Sequence, residues 1–370
     1  MGPHDRCLLR GVKRLKIEAK EPSPPEPSPN HPGGPPPEES SPEAAQPPRT
    51  ARSPEEESAR ERRRARQRRG PLAHVASWLI RGAFVPFRLV PPALALFFAR
   101  RLGDFFWWIL PSRRKIANEN LLRAFGDLYS PKERARIGRE SVQRFAMTIV
   151  EGTLLPGWIR SGHLAEIVRE GPGVAEAFER HRRGEPIIFF AGHIGPWEVI
   201  VRHFKRRGWR IGVPYRSTKN EVLQDWIVRT RAIEGPEQFP RRGALRPMVR
   251  LLRDGAAVTM FLDQNERNGI FVDFFGHPAG TVPTVGVLAE RCQGAVYFQR
   301  LRRLTPGKQY TVDFEGPLTI APGGTPDERI HAWTRAATAR IEGAIREKPS
   351  DWLWIHRRWR TRPPVSDAGA

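Results

Sequence analysis

The chain has 370 residues, of which 39% are apolar and 28% are charged, and its formal net charge is +22. This length and apolar content are sufficient for one large or two modest globular cores, which excludes a wholly disordered chain. The two cysteines, Cys7 and Cys292, are too few for a metal or disulfide framework and fit a reducing compartment. The basic excess favours an anionic partner, which composition leaves open as nucleic acid, anionic lipid or an acidic protein.

Residues 1–70 differ in composition from the rest of the chain. The run PSPPEPSPNHPGGPPPEESSPEAAQPP has almost no large apolar side chain, so it cannot bury enough surface to offset the entropy cost of ordering. We therefore expect residues 1–70 to be a disordered extension. They carry 15 Lys and Arg against 11 Asp and Glu, which leaves a net charge of +18 in residues 71–370. The densest basic cluster, residues 60–70, is interpreted either as a solvated charge run or as a contact with a membrane surface.

Residues 71–112 form an apolar, aromatic-rich segment that charged side chains interrupt repeatedly. Its longest uncharged run, residues 89–99, has 11 residues, whereas a helix that crosses a bilayer needs about 18 or more. We predict a helical membrane-attachment segment that lies in the interface, with Trp107 and Trp108 at headgroup depth. A spanning attachment stays open, and a buried helical hairpin is the alternative. The interrupting residues are Arg81, Arg88, Arg100, Arg101 and Asp104.

The segment 113–364 has the pattern of two helices followed by an α/β domain, and residues 365–370 are expected to be a tail. An S-x-x-E capping box at Ser130, with proline at the first helical position, predicts a helix that runs toward Glu151. An earlier helix is expected from about Arg113. Beyond it, short apolar runs alternate with amphipathic ones, which favours an α/β fold with a mixed, mostly parallel sheet flanked by helices. The predicted strands are 187–191, 210–215, 256–263, 270–275, 295–301 and 310–316, and the predicted helices are 197–206, 219–233, 244–253, 283–292 and 326–346.

The stretch FFAGHIGPWE, residues 189–198, carries the clearest chemical signal. Apolar residues end a predicted buried strand, and Gly195 and Pro196 can break that strand and start a helix. His193 is then expected at the carboxyl end of a strand. Glu198 would lie in the first helical turn, from which its carboxylate can meet the imidazole. A histidine oriented by a carboxylate is a general base, and a satisfied histidine beside an incidental glutamate is the alternative.

Several common functional motifs are absent from the sequence. It has no G-x-G-x-x-G, Walker A or G-x-S-x-G pattern, which removes the commonest nucleotide-binding and serine-hydrolase interpretations. No serine or cysteine adjoins His193, so the nucleophile is expected to be a hydroxyl of the substrate. A nucleic-acid partner is not expected, because zinc and RNP-type signatures are absent and the basic residues are dispersed.

The motif HIGPWE resembles the H-x4-D/E signature of glycerolipid acyltransferases. Its HxGxWE form is that of the bacterial lipid A biosynthesis (lauroyl/myristoyl) acyltransferases and of relatives that acylate phosphatidylinositol mannosides. Further blocks resemble this family in the same order and together cover about residues 110–364, whereas residues 1–70 have no counterpart. These blocks are RRKIANENLLRAFGDLYSPKERARI (113–137), PYRSTKNEVLQDWIVRTR (214–231), FLDQN (261–265), GIFVDFFGHPAGTVPTVGVLAE (269–290) and WLWIHRRWRTRP (352–363).

The resemblance implies a fold of the lysophospholipid acyltransferase-like superfamily and three catalytic residues. His193 would deprotonate the acceptor hydroxyl while Glu198 holds the imidazole, and nothing covalent would form on the enzyme. Arg231 would bind a lipid phosphate or neutralise the developing oxyanion.

Three further residues are assigned to substrate binding. Arg216 would share the task of binding phosphate or the oxyanion, and Asp225 lies in the same block of the family pattern. Asp263 follows a predicted strand and would lie at the ligand-binding edge of the sheet. A solvated cation is the alternative for each arginine, and a helix or turn cap is the alternative for Asp263. His356 is interpreted as packing among tryptophans rather than as a catalytic residue.

The implied activity is that of a membrane-associated O-acyltransferase at the cytoplasmic face of the inner membrane. It would move a fatty acyl chain from the thioester of an acyl carrier protein or coenzyme A to a hydroxyl of a lipid A-type glycolipid precursor, without a metal or further cofactor. Both an acidic carrier protein and an anionic membrane suit the basic body. The alternatives are a phosphatidylinositol mannoside, another glycolipid or a lysophospholipid as acceptor, and a catalytically silent membrane scaffold.

Overall fold

The structure, a computed structural model, describes residues 69–232 and 235–363, which all belong to one structural unit. They form an amino-terminal group of helices followed by an α/β body. The predicted disordered extension, apart from its last two residues, and the predicted tail over 365–370 lie outside the described residues.

Three helices cover the apolar segment: α1 (Pro71–Ala83), α2 (Val85–Leu89) and α3 (Pro92–Ile109). Each has a proline in its first turn, where a missing N–H costs no helical hydrogen bond. Within the described residues, no helix combines the length and the apolar character needed to cross a membrane.

Two longer helices follow, α4 (Pro111–Phe125) and α5 (Pro131–Arg160). The capping box predicted at Ser130 is confirmed, because the Glu133 backbone N–H donates to the Ser130 hydroxyl and the Ser130 N–H donates to the Glu133 carboxylate. The helix α5 continues beyond the end predicted from the sequence and includes a proline. Its apolar face continues with it, through the buried side chains of Leu154, Leu155, Trp158 and Ile159.

The helix α3 packs on α5 through one narrow face. Gly103 makes this close approach possible, since a Cβ at this position would lie 2.5 Å from the Cα of Gln143. The opposite side of the amino-terminal helices is exposed, so the segment is not the buried hairpin of the alternative interpretation. We refer to the exposed side chains as the apolar surface; they include Leu72, Val75, Trp78, Leu79, Phe97, Phe98, Phe105, Trp108 and Ile109.

Seven strands form the central sheet: β1 (Val168–Glu170), β2 (Ile187–Ala191), β3 (Ile211–Tyr215), β4 (Glu237–Pro240), β5 (Ala257–Phe261), β8 (Ala295–Thr305) and β9 (Gln309–Glu315). Their order is β1–β9–β8–β2–β5–β3–β4, and every neighbouring pair is parallel except β8 and β9. The predicted α/β class with a mixed, mostly parallel sheet is therefore confirmed. The predicted strand 270–275 is β6 (Ile270–Phe274), which pairs with β7 (His277–Thr281) in a separate antiparallel hairpin.

Helices flank this sheet, and apolar side chains of β2 enter both of its cores. Ile188 and Phe190 belong to one apolar cluster, while Ile187 and Phe189 belong to the other. This alternation follows from the two-residue period of a strand and explains why a central strand has a continuous apolar sequence. The remaining helices are a short 3-10 helix (Gly126–Leu128), α6 (His163–Ile167), α7 (Val174–Arg182), α8 (Trp197–Arg206), α9 (Glu221–Ala232), α10 (Leu245–Arg253), α11 (Thr284–Cys292), α12 (Pro326–Glu347) and a 3-10 turn at Pro349–Asp351.

Candidate active site

His193 and Asp263 follow the carboxyl ends of two neighbouring strands. The strands β2 and β5 are parallel, with Ala191 paired to Phe261 at their ends. Because the carboxyl ends of parallel strands meet at one edge of a sheet, the residues that follow them come together. The Oδ1 of Asp263 lies 2.8 Å from His193 Nδ1, and the His193 backbone N–H donates to Asp263 Oδ2 at 2.8 Å.

Asp263 is a buried carboxylate that is held in its ionised form. Its side chain is 2% exposed, and the Trp352 indole N–H donates to Oδ2 at 2.7 Å. Burial alone would raise the pKa of Asp263, but the charge of His193 and the hydrogen bonds from His193 and Trp352 lower it to about 2. An ionised Asp263 accepts a hydrogen bond from the Nδ1–H of His193, which leaves Nε2 as the basic nitrogen.

The lowered pKa of Asp263 predicts a contribution to stability that acid removes. Its ionisation stabilises the fold fully above about pH 4, the ordinary value for an unfolded aspartate. This contribution, about 2–3 kcal/mol, is lost as the pH falls toward 2. We expect the free energy of unfolding of Asp263→Asn to fall less steeply over this range than that of the wild type, as measured by urea unfolding. The control is the exposed Asp327→Asn, whose free energy of unfolding should depend on pH as that of the wild type does. The same pH dependence in Asp263→Asn and the wild type would contradict the account.

The carboxylate of Glu198 pairs with an arginine rather than with the imidazole. Glu198 lies in the first turn of α8, as predicted, but its carboxylate accepts a hydrogen bond from the Arg231 guanidinium of α9. The carboxylate that contacts the imidazole is that of Asp263. The predicted contact between His193 and Glu198 is therefore wrong, because Glu198 is directed toward α9 while the end of β5 supplies the partner of the histidine.

A cavity of about 160 Å³ brings together four of the predicted site residues, His193, Glu198, Arg216 and Arg231. Asp225 does not line this cavity, and its carboxylate lies 3.4 Å from the Arg69 guanidinium. Among the residues that the structure describes, no serine or cysteine lines this cavity. In the part of the chain that the structure describes, no group of three His, Cys, Asp or Glu side chains is arranged to hold a metal ion.

The turn between His193 and Glu198 is fixed by close backbone contacts. Gly195 has a φ of +64°, and a Cβ at this position would lie 2.4 Å from the carbonyl oxygen of Leu301 in β8. Both facts favour glycine here. The Gly195 N–H donates to the Asp351 carbonyl at 3.3 Å, which joins the turn to the carboxyl-terminal segment.

A buried ion pair holds α5 beside the same turn. The Arg303 guanidinium of β8 donates to both carboxylate oxygens of Glu151 and to the Thr148 hydroxyl, and the Tyr310 hydroxyl donates to Glu151 at 2.6 Å. Burial would lower the pKa of Arg303, but the Glu151 carboxylate outweighs it and raises that pKa. The Thr148 hydroxyl lies 3.3 Å from the Gly195 carbonyl oxygen, so the network reaches the turn that carries His193.

A second cavity, of about 510 Å³, lies between the amino-terminal helices and α5. Its lining is apolar except for Arg113 and includes Phe84, Phe106, Trp107, Phe145, Ala146 and Ile149. A gap of about 10 Å³ is lined by His193 and Trp197 of the first cavity and by Phe145 of the second. The rings of Phe145 and Trp197, with centroids 6.1 Å apart, therefore stand between the two cavities.

Sequence reasoning missed the contacts that hold the loop after β5. The Gln264 amide lies 3.5 Å from His193 Nε2, and the Asn265 backbone N–H donates to His356 Nε2 at 3.0 Å. Burial lowers the pKa of His356, which suits a neutral ring that accepts a hydrogen bond. Arg358, which is fully buried, donates to the Gln264 carbonyl. The sequence feature that could have indicated these contacts was the run of polar side chains directly after β5.

Comparison with known proteins assigns the chain to a family. A family model described as bacterial lipid A biosynthesis acyltransferase matches residues 63–361, which is more than half of the chain. The chain belongs to this family. The acyltransferase is thus an O-acyltransferase, as predicted, and the predicted family is confirmed.

Individual relatives carry names that agree with this family. The acyltransferase is 25% identical over 267 residues to a lipid A biosynthesis lauroyltransferase of Escherichia coli (strain K12), which covers 71% of this chain and 84% of the relative. It is 27% identical over 276 residues to a lipid A biosynthesis acyltransferase of Haemophilus influenzae, covering 71% and 85%. A lipid A biosynthesis myristoyltransferase of Escherichia coli (strain K12) is 24% identical over 305 residues, covering 78% and 88%.

Proposed function

We propose that this acyltransferase moves a fatty acyl chain from an acyl thioester to a hydroxyl of a lipid A-type glycolipid precursor. The observation that carries the proposal is the His193–Asp263 pair beside a cavity that Arg216 and Arg231 also line. The names of the relatives support the choice of acceptor. The thioester belongs to an acyl carrier protein or to coenzyme A, and no other cofactor takes part.

In this proposal the acyl group passes directly between the two substrates. His193 Nε2 takes the proton of the acceptor hydroxyl as its oxygen attacks the thioester carbonyl carbon, and Asp263 stabilises the imidazolium. The tetrahedral intermediate then breaks its C–S bond, and the imidazolium returns the proton to the leaving thiolate. No serine or cysteine of residues 69–232 and 235–363 lines this cavity, which supports attack by the substrate hydroxyl.

Arg231 and Arg216 supply positive charge beside the reacting groups. The hydrogen bond to Glu198 fixes the Arg231 guanidinium and leaves other N–H donors of that side chain for a ligand. A fixed and always protonated guanidinium suits a phosphate of the glycolipid or the oxyanion of the tetrahedral intermediate. Glu198 is then a positioning residue that acts through Arg231. The substrate-binding role of Asp225 stays a prediction.

The acyl chain of the donor occupies the apolar cavity in this proposal. The small gap beside His193 connects the reacting carbonyl to that cavity, provided that the Phe145 and Trp197 rings rotate. Such rotations are fast compared with catalysis. Apolar walls favour an aliphatic chain by about 0.8 kcal/mol for each methylene that leaves water.

Filling the apolar cavity should therefore shorten the preferred acyl chain. Ala146→Phe places a ring in the cavity lining, and each methylene that it displaces should lower kcat/KM about fourfold. The measurement is transfer from a series of acyl thioesters of increasing length. Ala339→Phe, at an exposed position of α12, is the matched control and should leave the preference unchanged. If Ala146→Phe had the same acyl-chain preference as the wild type, the apolar cavity would not be the binding site of the acyl chain.

The apolar surface attaches the enzyme to the cytoplasmic face of the inner membrane in this proposal. The amino-terminal helices expose many large apolar side chains within a short stretch of chain, which is unusual for a soluble monomer. Trp78 and Trp108 are suited to headgroup depth. The Arg81 guanidinium lies 4.6 Å from the Trp78 ring centroid, where its charge can reach the phosphate level.

Mass spectrometry of total lipid extracts tests the proposed function. Extracts come from cells that make the wild type or His193→Ala, with equal amounts of folded protein in the membrane fraction. We expect a lipid A precursor heavier by one acyl chain with the wild type alone. If a phosphatidylinositol mannoside, another glycolipid or a lysophospholipid gained the acyl mass instead, that lipid would be the acceptor. Identical lipid profiles would contradict the proposal and favour a silent scaffold.

A further inference from the structure

A basic cleft lies apart from the catalytic cavity, where the start of α4 meets the segment after the 3-10 turn. Its volume is about 420 Å³, and none of its lining residues lines the cavity around His193. Trp359 forms part of its wall. Four cationic side chains also line it: Lys115, Arg123, Arg357 and Arg360.

The cations of the basic cleft have little opposing charge. Among the described residues, Arg123, Arg357 and Arg360 form no ion pair within 4.0 Å. Glu119, the one acidic residue that the described part of the chain contributes to the lining, lies 4.0 Å from Lys115. Net positive charge therefore remains in a concave site.

Trp359 adds an aromatic ring to the basic cleft. Its side chain belongs to the wall of the basic cleft and is 8% exposed. The Arg123 guanidinium lies 5.6 Å from the Trp359 ring centroid, so the ring helps to hold this cation at the cleft. An anion in the cleft would supply the missing negative charge.

The basic cleft directly follows the apolar surface along the chain. Trp108, Ile109 and Leu110 are exposed at the end of α3, and Lys115 of the cleft lies in the next helix, α4. An amphiphile whose chains cover the apolar surface therefore brings its headgroup toward the cleft. This arrangement favours the phosphate of a lipid over a soluble anion.

We propose that the basic cleft binds the phosphate group of an anionic membrane phospholipid. The guanidinium groups of Arg357 and Arg360 donate to the phosphate oxygens, and the lipid chains lie along the apolar surface. The bound lipid orients the enzyme on an anionic membrane. The site shares no residue with the catalytic cavity, so the inference does not depend on the proposed acyl transfer.

Co-sedimentation of the full-length chain with vesicles tests this proposal. One set of vesicles is phosphatidylcholine alone, and the other contains phosphatidylglycerol as well. The double variant R357Q/R360Q is compared with the wild type and with R253Q/R335Q, whose two exposed arginines lie outside the cleft lining. The cleft variant should bind the phosphatidylglycerol vesicles about 30-fold more weakly, which corresponds to ~1 kcal/mol for each arginine.

The control and the alternatives have distinct outcomes. The control variant should bind both vesicles about as tightly as the wild type, and all three proteins should bind phosphatidylcholine equally. Equal weakening of both double variants would mean diffuse charge attraction and overturn the proposal, as would no weakening at all. Coenzyme A binding that requires the cleft, with unchanged vesicle binding, would assign the cleft to the donor phosphates and also overturn it. Repeating the series in His193→Ala separates this test from that of catalysis.

Discussion

Asp263→Asn is expected to lower kcat by about 10³- to 10⁴-fold with little change in KM. Asparagine removes the charge that stabilises the imidazolium. Its amide N–H₂ can also donate to Nδ1, which would leave the proton on Nε2 and block the base. The measurement is steady-state acyl transfer over a range of pH.

The matched control for this change is the exposed Asp327→Asn, which should keep wild-type activity. Because Asp263 is buried, circular dichroism and the free energy of unfolding must show that the variant is folded at the assay pH. A folded Asp263→Asn protein with wild-type kcat would exclude the aspartate as the partner of His193. Another group would then have to orient the His193 imidazole.

Arg231→Lys is expected to lower kcat/KM by about 10²- to 10³-fold, the range found when one charge-stabilising donor is lost. A lysine keeps the charge but cannot pair with Glu198 and a ligand through a planar group. Arg229→Lys on the same helix is the control, since the Arg229 Nε–H donates to the Asp225 backbone carbonyl outside the cavity. Near-wild-type transfer by Arg231→Lys would remove Arg231 from the mechanism.

A double-mutant cycle shows through which partner Glu198 acts. If Glu198 positions Arg231, the loss caused by Glu198→Gln should largely disappear in a protein that already carries Arg231→Lys. If Glu198 oriented the imidazole, as the sequence suggested, its effect should instead be lost in the Asp263→Asn background. Fully additive effects of Glu198→Gln and Arg231→Lys would contradict the pairing.

The sequence predicted the main strands of the sheet but not all of their partners. The buried strand β2 is a continuous apolar run and β5 is apolar except for Thr259, so their positions follow from the local sequence. The strand β6 was also predicted, yet its pairing with β7 in a separate hairpin depends on tertiary contacts that periodicity does not report. The short strands β1 and β4 were missed because three or four residues carry too little pattern.

The candidate site was predicted only in part, because tertiary contacts also determine which side chains meet there. His193, Glu198, Arg216 and Arg231 were identified, and they line one cavity. Asp263 was also identified, but as a substrate-binding residue. The partner of the histidine was mistaken because spacing along the chain indicates only local neighbours, whereas Asp263 approaches through the pairing of β2 with β5. The strand order that brings them together is a property of the folded sheet.

The contacts from the carboxyl-terminal segment could not be predicted from the sequence at all. Trp352 donates to Asp263, and Asp351 accepts from Gly195. Both come from a segment that the sequence indicated only as tryptophan-rich and basic. Its folding back against the end of β2 depends on the whole body being assembled.

Single-turnover transfer by purified protein tests the central claim most directly. Wild type and His193→Ala are mixed with an acyl thioester and a lipid A-type acceptor, and the masses of both lipid and protein are recorded. We predict that the wild type produces acylated acceptor and carries no acyl adduct itself. The rate of transfer by the variant should be lower by a factor of about 10⁴ or more. Transfer by His193→Ala at the wild-type rate, or an acyl-enzyme that forms and decays during turnover, would contradict the account.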